Sequence, residues 1–362
     1  MFPETTTDHG LRPGRGCPIA YRYGARSLAR PAELVADTIY VIGGLYGNPF
    51  ALAAALRLRA AEPDARLVFN GDFNWFDIDD ASFVRINREV LTHRALRGNV
   101  ETELLATDSA AGCGCGYPDY VSDADVERSN RIMALLARTA RRHPDLSARL
   151  VALPMTLTAQ VGDLRVGIVH GDADSLAGWA FGEEAIDPVH VASMFDAAQV
   201  RLFASSHTCM PVAQTFTSAR GDCALFNNGA AGMANFSGTR HGLVTRVSTR
   251  AAPADLETLY GTVLDGAHVD AVPLRFDEDA WLAHFDQVWP ADSPAALSYR
   301  ERIANGPRYL AVTAARAGIA SHAPEVRATA ARESAYRFSE GTLADLPARQ
   351  QPPGVAADRR VG

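Results

Sequence analysis

The sequence predicts an α/β fold, and three observations carry that expectation. Short apolar runs of strand character recur along the chain, at 38–42, 66–69, 95–97, 164–169 and 201–205. Helical patterns separate them, and alternation of this kind implies a sheet flanked by helices. Each run also ends in a polar motif: Gly43-Gly44-Leu45-Tyr46-Gly47-Asn48, Asn70-Gly71-Asp72, Gly98-Asn99-Val100-Glu101, His170-Gly171-Asp172 and Ser206-His207-Thr208-Cys209. Sheets of this class place ligands at the carboxyl ends of their strands. Asp72, Asn99, His170 and His207 would therefore gather on one rim, and that is a metal-site composition.

Taken in order, residues 1–17 are polar and rich in Thr, Gly and Pro, which predicts a poorly ordered terminus. Residues 17–36 carry Tyr21, Tyr23, Leu28, Leu34 and Val35, enough to pack on the main domain as a lead-in. After the first strand, Asn48 at a cap position and Pro49 in the first turn open an Ala/Leu-rich helix over 49–61. A second helix over 80–93 presents Phe83, Ile86, Val90 and Leu91 on one face. A short helix over 101–106 precedes a loop, Asp108-Ser-Ala-Ala-Gly-Cys113-Gly-Cys115-Gly-Tyr-Pro-Asp119-Tyr, whose glycines and proline exclude regular structure. Ser122 with Asp125 opens an amphipathic helix to about residue 142.

Residues 160–165 read as a hairpin turn between Leu157 and Val169. Alternating segments from Val212 to Phe276 predict a second sheet. Residues 277–317 are helical in pattern, with Trp281, Phe285, Trp289, Tyr299, Ile303, Tyr309 and Leu310 spaced along them. The remainder, rich in Ala, Arg and Pro, reads as marginal helix grading into a disordered tail. The division expected is a lead-in at 1–36, a main domain at 37–276 and a C-terminal helical appendage and tail at 277–362, the appendage covering a sheet edge.

Composition narrows the function. At 362 residues the chain can bury a sizeable core, and a net charge of −7 argues against a broad nucleic-acid or anionic-membrane surface. No apolar run approaches the roughly 18 residues that span a bilayer, and residues 1–16 carry no apolar signal-peptide core. All 35 basic residues are Arg. The absence of Lys excludes a P-loop NTPase, a Schiff-base enzyme and any lysine nucleophile. Five Cys are too few, and odd in number, for a disulfide scaffold. The expectation is a reduced, cytoplasmic protein.

The order, spacing and flanks of the five motifs resemble the calcineurin-like metallophosphoesterase family, over about residues 37–250. Gly47-Asn48-x-x-Ala51-Leu52 after the first motif and Asn227-Asn228-Gly229-Ala230-Ala231-Gly232 after the last support the resemblance. It implies a four-layer α-β-β-α sandwich and a metal centre that hydrolyses a phosphate ester, diester more than monoester, with metal-bound water. By position, one ion would be held by Asp72, Asn99, His170 and His207, all present. A second would need side chains where this sequence has Gly44, Tyr46 and Cys209, and Val100 replaces a His that assists the leaving group. One ion is therefore expected. Mixed oxygen and nitrogen ligands suit Mn, Fe, Zn or Ni.

The expected partner is a small phosphate ester, with neither nucleic acid nor membrane. The alternative is a degenerate member that binds a phosphate-bearing ligand or a partner without turnover. The residue set does not assign a catalytic acid or base. Tyr46 could offer a hydroxyl or fill the vacated space, and Arg97 could contact a phosphate or be structural. Glu101 would support the ligands or the helix N-terminus that follows. Cys113, Cys115 and Cys209 could border the substrate, bind a soft metal as thiolates, form a redox pair, or be unpaired thiols.

Overall fold

The computed structural model describes residues 12–106 and 111–322. The expected disorder at residues 1–11 and in the tail beyond 322, and part of the loop before Cys113, lie outside those residues. The chain runs β1 (Leu34–Val35), β2 (Thr38–Ile42), α1 (Pro49–Ala61), β3 (Arg66–Asn70), α2 (Asp80–Val90), β4 (Arg94–Leu96) and α3 (Asn99–Glu103). It continues through α4 (Asp123–Arg142), α5 (Pro144–Val151), β5 (Thr156–Val161), β6 (Leu164–Val169), α6 (Pro188–Ala198), β7 (Leu202–Ser205), β8 (Pro211–Ser218) and β9 (Gly221–Asn228). The last elements are β10 (Gly242–Ser248), β11 (Tyr260–Leu264), β12 (Ala267–Leu274), α7 (Glu278–Val288), α8 (Pro294–Asn305), α9 (Ala311–Ala314) and β13 (Ala320–Ser321). Among the described residues no helix is long and apolar enough to cross a membrane.

Two mixed sheets result. One has the order β1-β5-β6-β7-β9-β8, the other β13-β11-β12-β10-β2-β3-β4. Strand alternation makes each sheet two-faced. Ile39 and Val41 of β2 face inward and meet Val166 and Ile168 of β6 and Leu202 and Ala204 of β7 in a core between the sheets. Tyr40 and Ile42 face the other way, into a core shared with α1, α2, α4 and α5. On the far side, Phe203 and Leu225 pack under Val191, Met194 and Phe195 of α6. Three apolar cores between four layers, two of helix and two of sheet, make the α-β-β-α sandwich.

Local chemistry places the helices as expected. Asn48 caps α1, its Oδ1 accepting from the backbone N–H of Phe50 and Ala51 at 2.9 Å each. Ser122 caps α4 by accepting from Asp125 N at 3.1 Å.

Two expectations change. The segments between Val212 and Phe276 do not form a sheet of their own. β8 and β9 extend the sheet of β6 and β7, while β10 pairs antiparallel with β2 and brings β11 and β12 into the other. Strand character fixes neither partner nor sheet, because pairing is decided by non-local packing.

The C-terminal helices only partly cover an edge. α9 and the residues after it lie along the edge strand β8, where Arg316 N donates to the Ala213 carbonyl and Thr215 N to the Ala317 carbonyl at 2.9 Å each, but α7 and α8 join the core. Trp281, Phe285, Trp289 and Ile303 are buried in the same core as α1 and α4, and Trp289 Nε1 donates to the Phe76 carbonyl at 2.9 Å. At the edge of the other sheet, β13 pairs with β11.

Candidate metal centre

β3, β6 and β7 end on one rim, and so does β4 beside β3. The loops after them carry Asp72, Asn99, His170 and His207. Asp72, His170 and His207 each offer a ligand atom within 4.8 Å of the others, the one such group among the described residues. His170 Nε2 lies 3.2 Å from Asp72 Oδ2, 3.1 Å from Asn99 Oδ1 and 3.2 Å from His207 Nδ1.

With both rings neutral, each of these atoms is an acceptor. His170 Nδ1 donates to the Asn70 carbonyl at 2.9 Å, which leaves a lone pair on Nε2. His207 Nε2 donates to the Cys115 carbonyl at 2.9 Å, which leaves a lone pair on Nδ1. Asn99 Nδ2 donates to the Cys113 carbonyl at 3.0 Å, which turns Oδ1 toward the histidines. Four acceptors therefore converge with no donor among them. Ligands at roughly 2.0–2.2 Å from one ion sit about 3 Å apart, the spacing these atoms already have. The residues fit a divalent transition ion.

The electrostatics agree. Burial, with His170 alongside, lowers the pKa of His207 to about 3, so its ring is neutral and ligand-competent. Burial opposes charge on His170 and Asp72 as well. Asp72 nevertheless lies below the ordinary carboxylate range because His170 faces it, and His170 lies above its ordinary value because Asp72 does.

A second shell holds the first. Glu101 is fully buried, and its carboxylate accepts from the backbone N–H of Asp72 (2.7 Å), Phe73 (3.0 Å) and Gly98 (2.9 Å) and from Asn74 Nδ2 (3.1 Å). Burial and the neighbouring Asp72 raise its pKa to about 7 against those four donors. Gly98 is required: a Cβ there would stand 2.2 Å from Asp72 Oδ1. Asp172 does not reach the site. It accepts from the backbone N–H of Asp174, Ser175 and Ala180 and so shapes the loop that carries Trp179. Asn228 and Asn227 tie the first and last motif loops together, through Gly43 O and Thr208 Oγ1 respectively.

The positions expected to lack a second ion are filled by protein. Tyr46 is buried, and its hydroxyl lies 2.8 Å from Cys209 Sγ. Gly44 takes φ +67, and a Cβ there would meet the Tyr46 ring at 2.9 Å. Tyr46 fills the vacated space and also lines the cavity over the ligands, with its hydroxyl held against Cys209. Val100 is buried beside Asp72, to which its N–H donates at 3.2 Å. Tyr46, Asp72 and Cys209 all take positive φ (56, 53 and 61), a concentration of left-handed non-glycine residues at one site.

The cysteine loop acts chiefly through its backbone, with Cys115 Sγ also accepting from Asn99 Nδ2 at 3.6 Å. Cys113 and Cys115 are buried, and their carbonyls fix the Asn99 amide and the His207 ring. Cys115 and Cys209 line a cavity over the ligands, but burial raises both thiols above their ordinary pKa, which disfavours thiolates. Arg97 is a correction. It does not line this cavity; its guanidinium donates to the Val151 carbonyl, because β4 directs it toward α5.

That cavity, about 500 Å³ when counted out into the solvent at its mouth, has residues no motif marked. Trp75, Tyr117, Trp179 and Tyr299 contribute aromatic wall, and Arg302 contributes a cation. Arg302 Nη2 donates to the Cys209 carbonyl at 2.6 Å and Nε to the Ala234 carbonyl at 2.8 Å. Trp75 and Tyr117 stand close in sequence to Asp72 and Cys115, a signal that proximity could have given. Tyr299 and Arg302 arrive on α8, far along the chain, and nothing in their spacing points to the rim.

Fold and site together define an α-β-β-α sandwich with a cluster of candidate metal ligands on one rim. No protein-family profile matches the sequence, and no curated protein matches it. Solved structures similar to it include a hypothetical protein from Pyrococcus horikoshii OT3, 14% identical, covering 76% of this chain and 100% of that one, TM-score 0.48. A metallophosphoesterase from Sphaerobacter thermophilus is 16% identical over 75% of this chain and 100% of its own, TM-score 0.48. The Escherichia coli phosphoesterase Yfce is 16% identical over 66% of this chain and 100% of its own, TM-score 0.33.

Proposed function

We propose that this protein hydrolyses a phosphate ester with a divalent metal bound by Asp72, Asn99, His170 and His207. The observation that carries the reading is the convergence of four inward-facing acceptors, each oriented by a hydrogen bond on its far side or by its neighbours. When bound, the ion supplies Lewis acidity that polarises a phosphoryl oxygen and acidifies water. Arg302 supplies a fixed positive charge in the same cavity, suited to a phosphoryl oxygen. The aromatic wall excludes bulk water, which strengthens both attractions.

The residues also favour particular esters. His207 keeps its Nε2–H on the Cys115 carbonyl, Val100 has no ionisable proton, and the Tyr46 hydroxyl is bonded to Cys209 with its pKa raised by burial. A leaving group is thus poorly served by acid catalysis. Val100, standing where the resemblance leads one to expect a His that assists the leaving group, is the feature that supports a diester over a monoester.

The Tyr46–Cys209 pair favours a second reading, in which the site binds a phosphate-bearing ligand or partner without turnover. Protein purified without chelator and loaded with Mn²⁺, Fe²⁺, Zn²⁺ or Ni²⁺ is assayed on generic mono- and diesters. Metal-dependent turnover that an Asp72→Ala/His207→Ala variant abolishes supports hydrolysis. Metal-dependent binding of inorganic phosphate with no turnover supports the second reading. Absence of both overturns the two together.

A further inference from the structure

We infer that the ester this site takes carries an aromatic group, seated against Trp75, Tyr117, Trp179 and Tyr299 beside the ligand cluster. The inference rests on the phosphate-ester reading and deepens it.

The four rings come from separate parts of the chain and converge on one cavity. Trp75 follows β3, Tyr117 follows the cysteine loop, Trp179 sits on the loop after β6, and Tyr299 sits on α8. They form two pairs. Trp75 and Tyr299 meet edge to face with centroids 6.4 Å apart, and Tyr117 and Trp179 meet at 5.9 Å. Trp179 also meets the His207 ring at 5.3 Å, so the aromatic wall begins where the ligand cluster ends. A group attached to a phosphoryl at the cluster would touch the wall directly.

The wall is neutral and fixed. Tyr117 Oη lies 3.0 Å from Ser129 Oγ, and Trp179 Nε1 donates to the Cys115 carbonyl at 3.0 Å. Burial raises the hydroxyls of Tyr117 and Tyr299 above their ordinary pKa. Such a wall offers π faces and edges but few polar partners, which an alkyl or sugar hydroxyl would need. Aromatic walls also receive quaternary ammonium groups. Here Arg302 lines the same cavity, and its charge opposes a second cation.

Leaving-group chemistry points the same way. The hydroxyls and thiols of Tyr46, Cys115, Tyr117, Cys209 and Tyr299 that line the cavity are held by burial above their ordinary pKa and so are weak acids. A phenolic oxygen, with a pKa near 10, departs as its anion far more readily than an alkoxide.

The test uses non-hydrolysable probes, so it does not depend on turnover. Mn²⁺-loaded protein is titrated calorimetrically with inorganic phosphate, methylphosphonate, phenylphosphonate and phosphocholine. The expected result is phenylphosphonate binding roughly tenfold or more tighter than methylphosphonate, the worth of burying one ring. Tyr117→Leu and Tyr299→Leu, each at half-buried positions, should shrink that preference at least threefold while inorganic phosphate binding is kept. Retained phosphate binding also shows that the variants fold. Equal affinity for the two phosphonates, or tighter phosphocholine than phenylphosphonate, overturns the aromatic assignment and leaves the phosphate-ester reading standing. No binding of any probe overturns both.

Discussion

His207 Nδ1 faces His170 Nε2 at 3.2 Å, and the second nitrogen of each ring is committed to a backbone carbonyl. Two lone pairs at that distance repel unless a cation or a proton lies between them and their neighbours. Asp72 Oδ2 and Asn99 Oδ1 join the same focus. The cluster is built to be completed by positive charge.

Elemental analysis of protein purified without chelator should therefore find one divalent ion per chain. Chelation should lower the melting temperature, since an ion held at 100 times its dissociation constant adds about 2.7 kcal/mol to the folded state. Asp72→Ala/His207→Ala should carry no ion and show no chelator-dependent shift. Two tightly held ions per chain would contradict the single-ion assignment.

Most of this rim was legible in the sequence because strand, motif and cap are local features. The run ending at Ile42, the cap at Asn48 and the motif Gly98-Asn99 each lie within a few residues of what they determine. The assignment of β8 and β9 to a sheet, and the arrival of Tyr299 and Arg302 over the site, were not legible. Both are decided by packing between segments far apart in the chain. The role of Cys113 and Cys115 was hidden for another reason. Their carbonyls carry most of the support to the ligands, with the Cys115 thiol accepting a longer bond from Asn99 Nδ2 at 3.6 Å, and a carbonyl leaves no mark on residue identity.

Trp179→Phe keeps a ring beside His207 but removes the indole N–H that donates to the Cys115 carbonyl. That carbonyl also fixes the His207 tautomer. Metal affinity should fall about tenfold, the lower end for a lost supporting partner. Metal titration followed by calorimetry reads the change. An unaltered affinity would show that the carbonyl is held by the chain alone.

Asp77 offers a pH test away from the ligands. It is 3% exposed, and its Oδ2 has no partner among the described residues. Burial raises its pKa well above the ordinary value, and nearby Asp79 adds to this. For an acid with a raised folded pKa, the unfolded chain ionises first. Its favourable contribution is complete below about pH 3.9 and is lost as pH rises toward the folded pKa. Asp77→Asn should therefore be more stable than the parent at pH 7, by about 1–2 kcal/mol, and the gain should vanish near pH 3.5. Denaturant melts across this range check it; a gain of constant size would rule out titration of Asp77 as its source.

The filled half of the site makes a reversible case. Gly44, Tyr46 and Cys209 sit at φ +67, 56 and 61, a region that tyrosine and cysteine enter at a cost and that Asp and His enter more readily than most residues. Gly44→Asp alone should destabilise by roughly 2 kcal/mol, because its Cβ would stand 2.9 Å from the Tyr46 ring. Tyr46→His shortens that ring and breaks the bond to Cys209 Sγ. The two changes should then couple, the pair costing less than the sum of the singles by at least 1 kcal/mol. Adding Cys209→His supplies a further nitrogen next to Asp72, with the left-handed backbone already in place. The triple variant should bind a second ion, read by elemental analysis, and turn over generic esters faster than the parent. A triple variant that folds but still holds one ion would show that the loops, and not only these three side chains, have closed the second site.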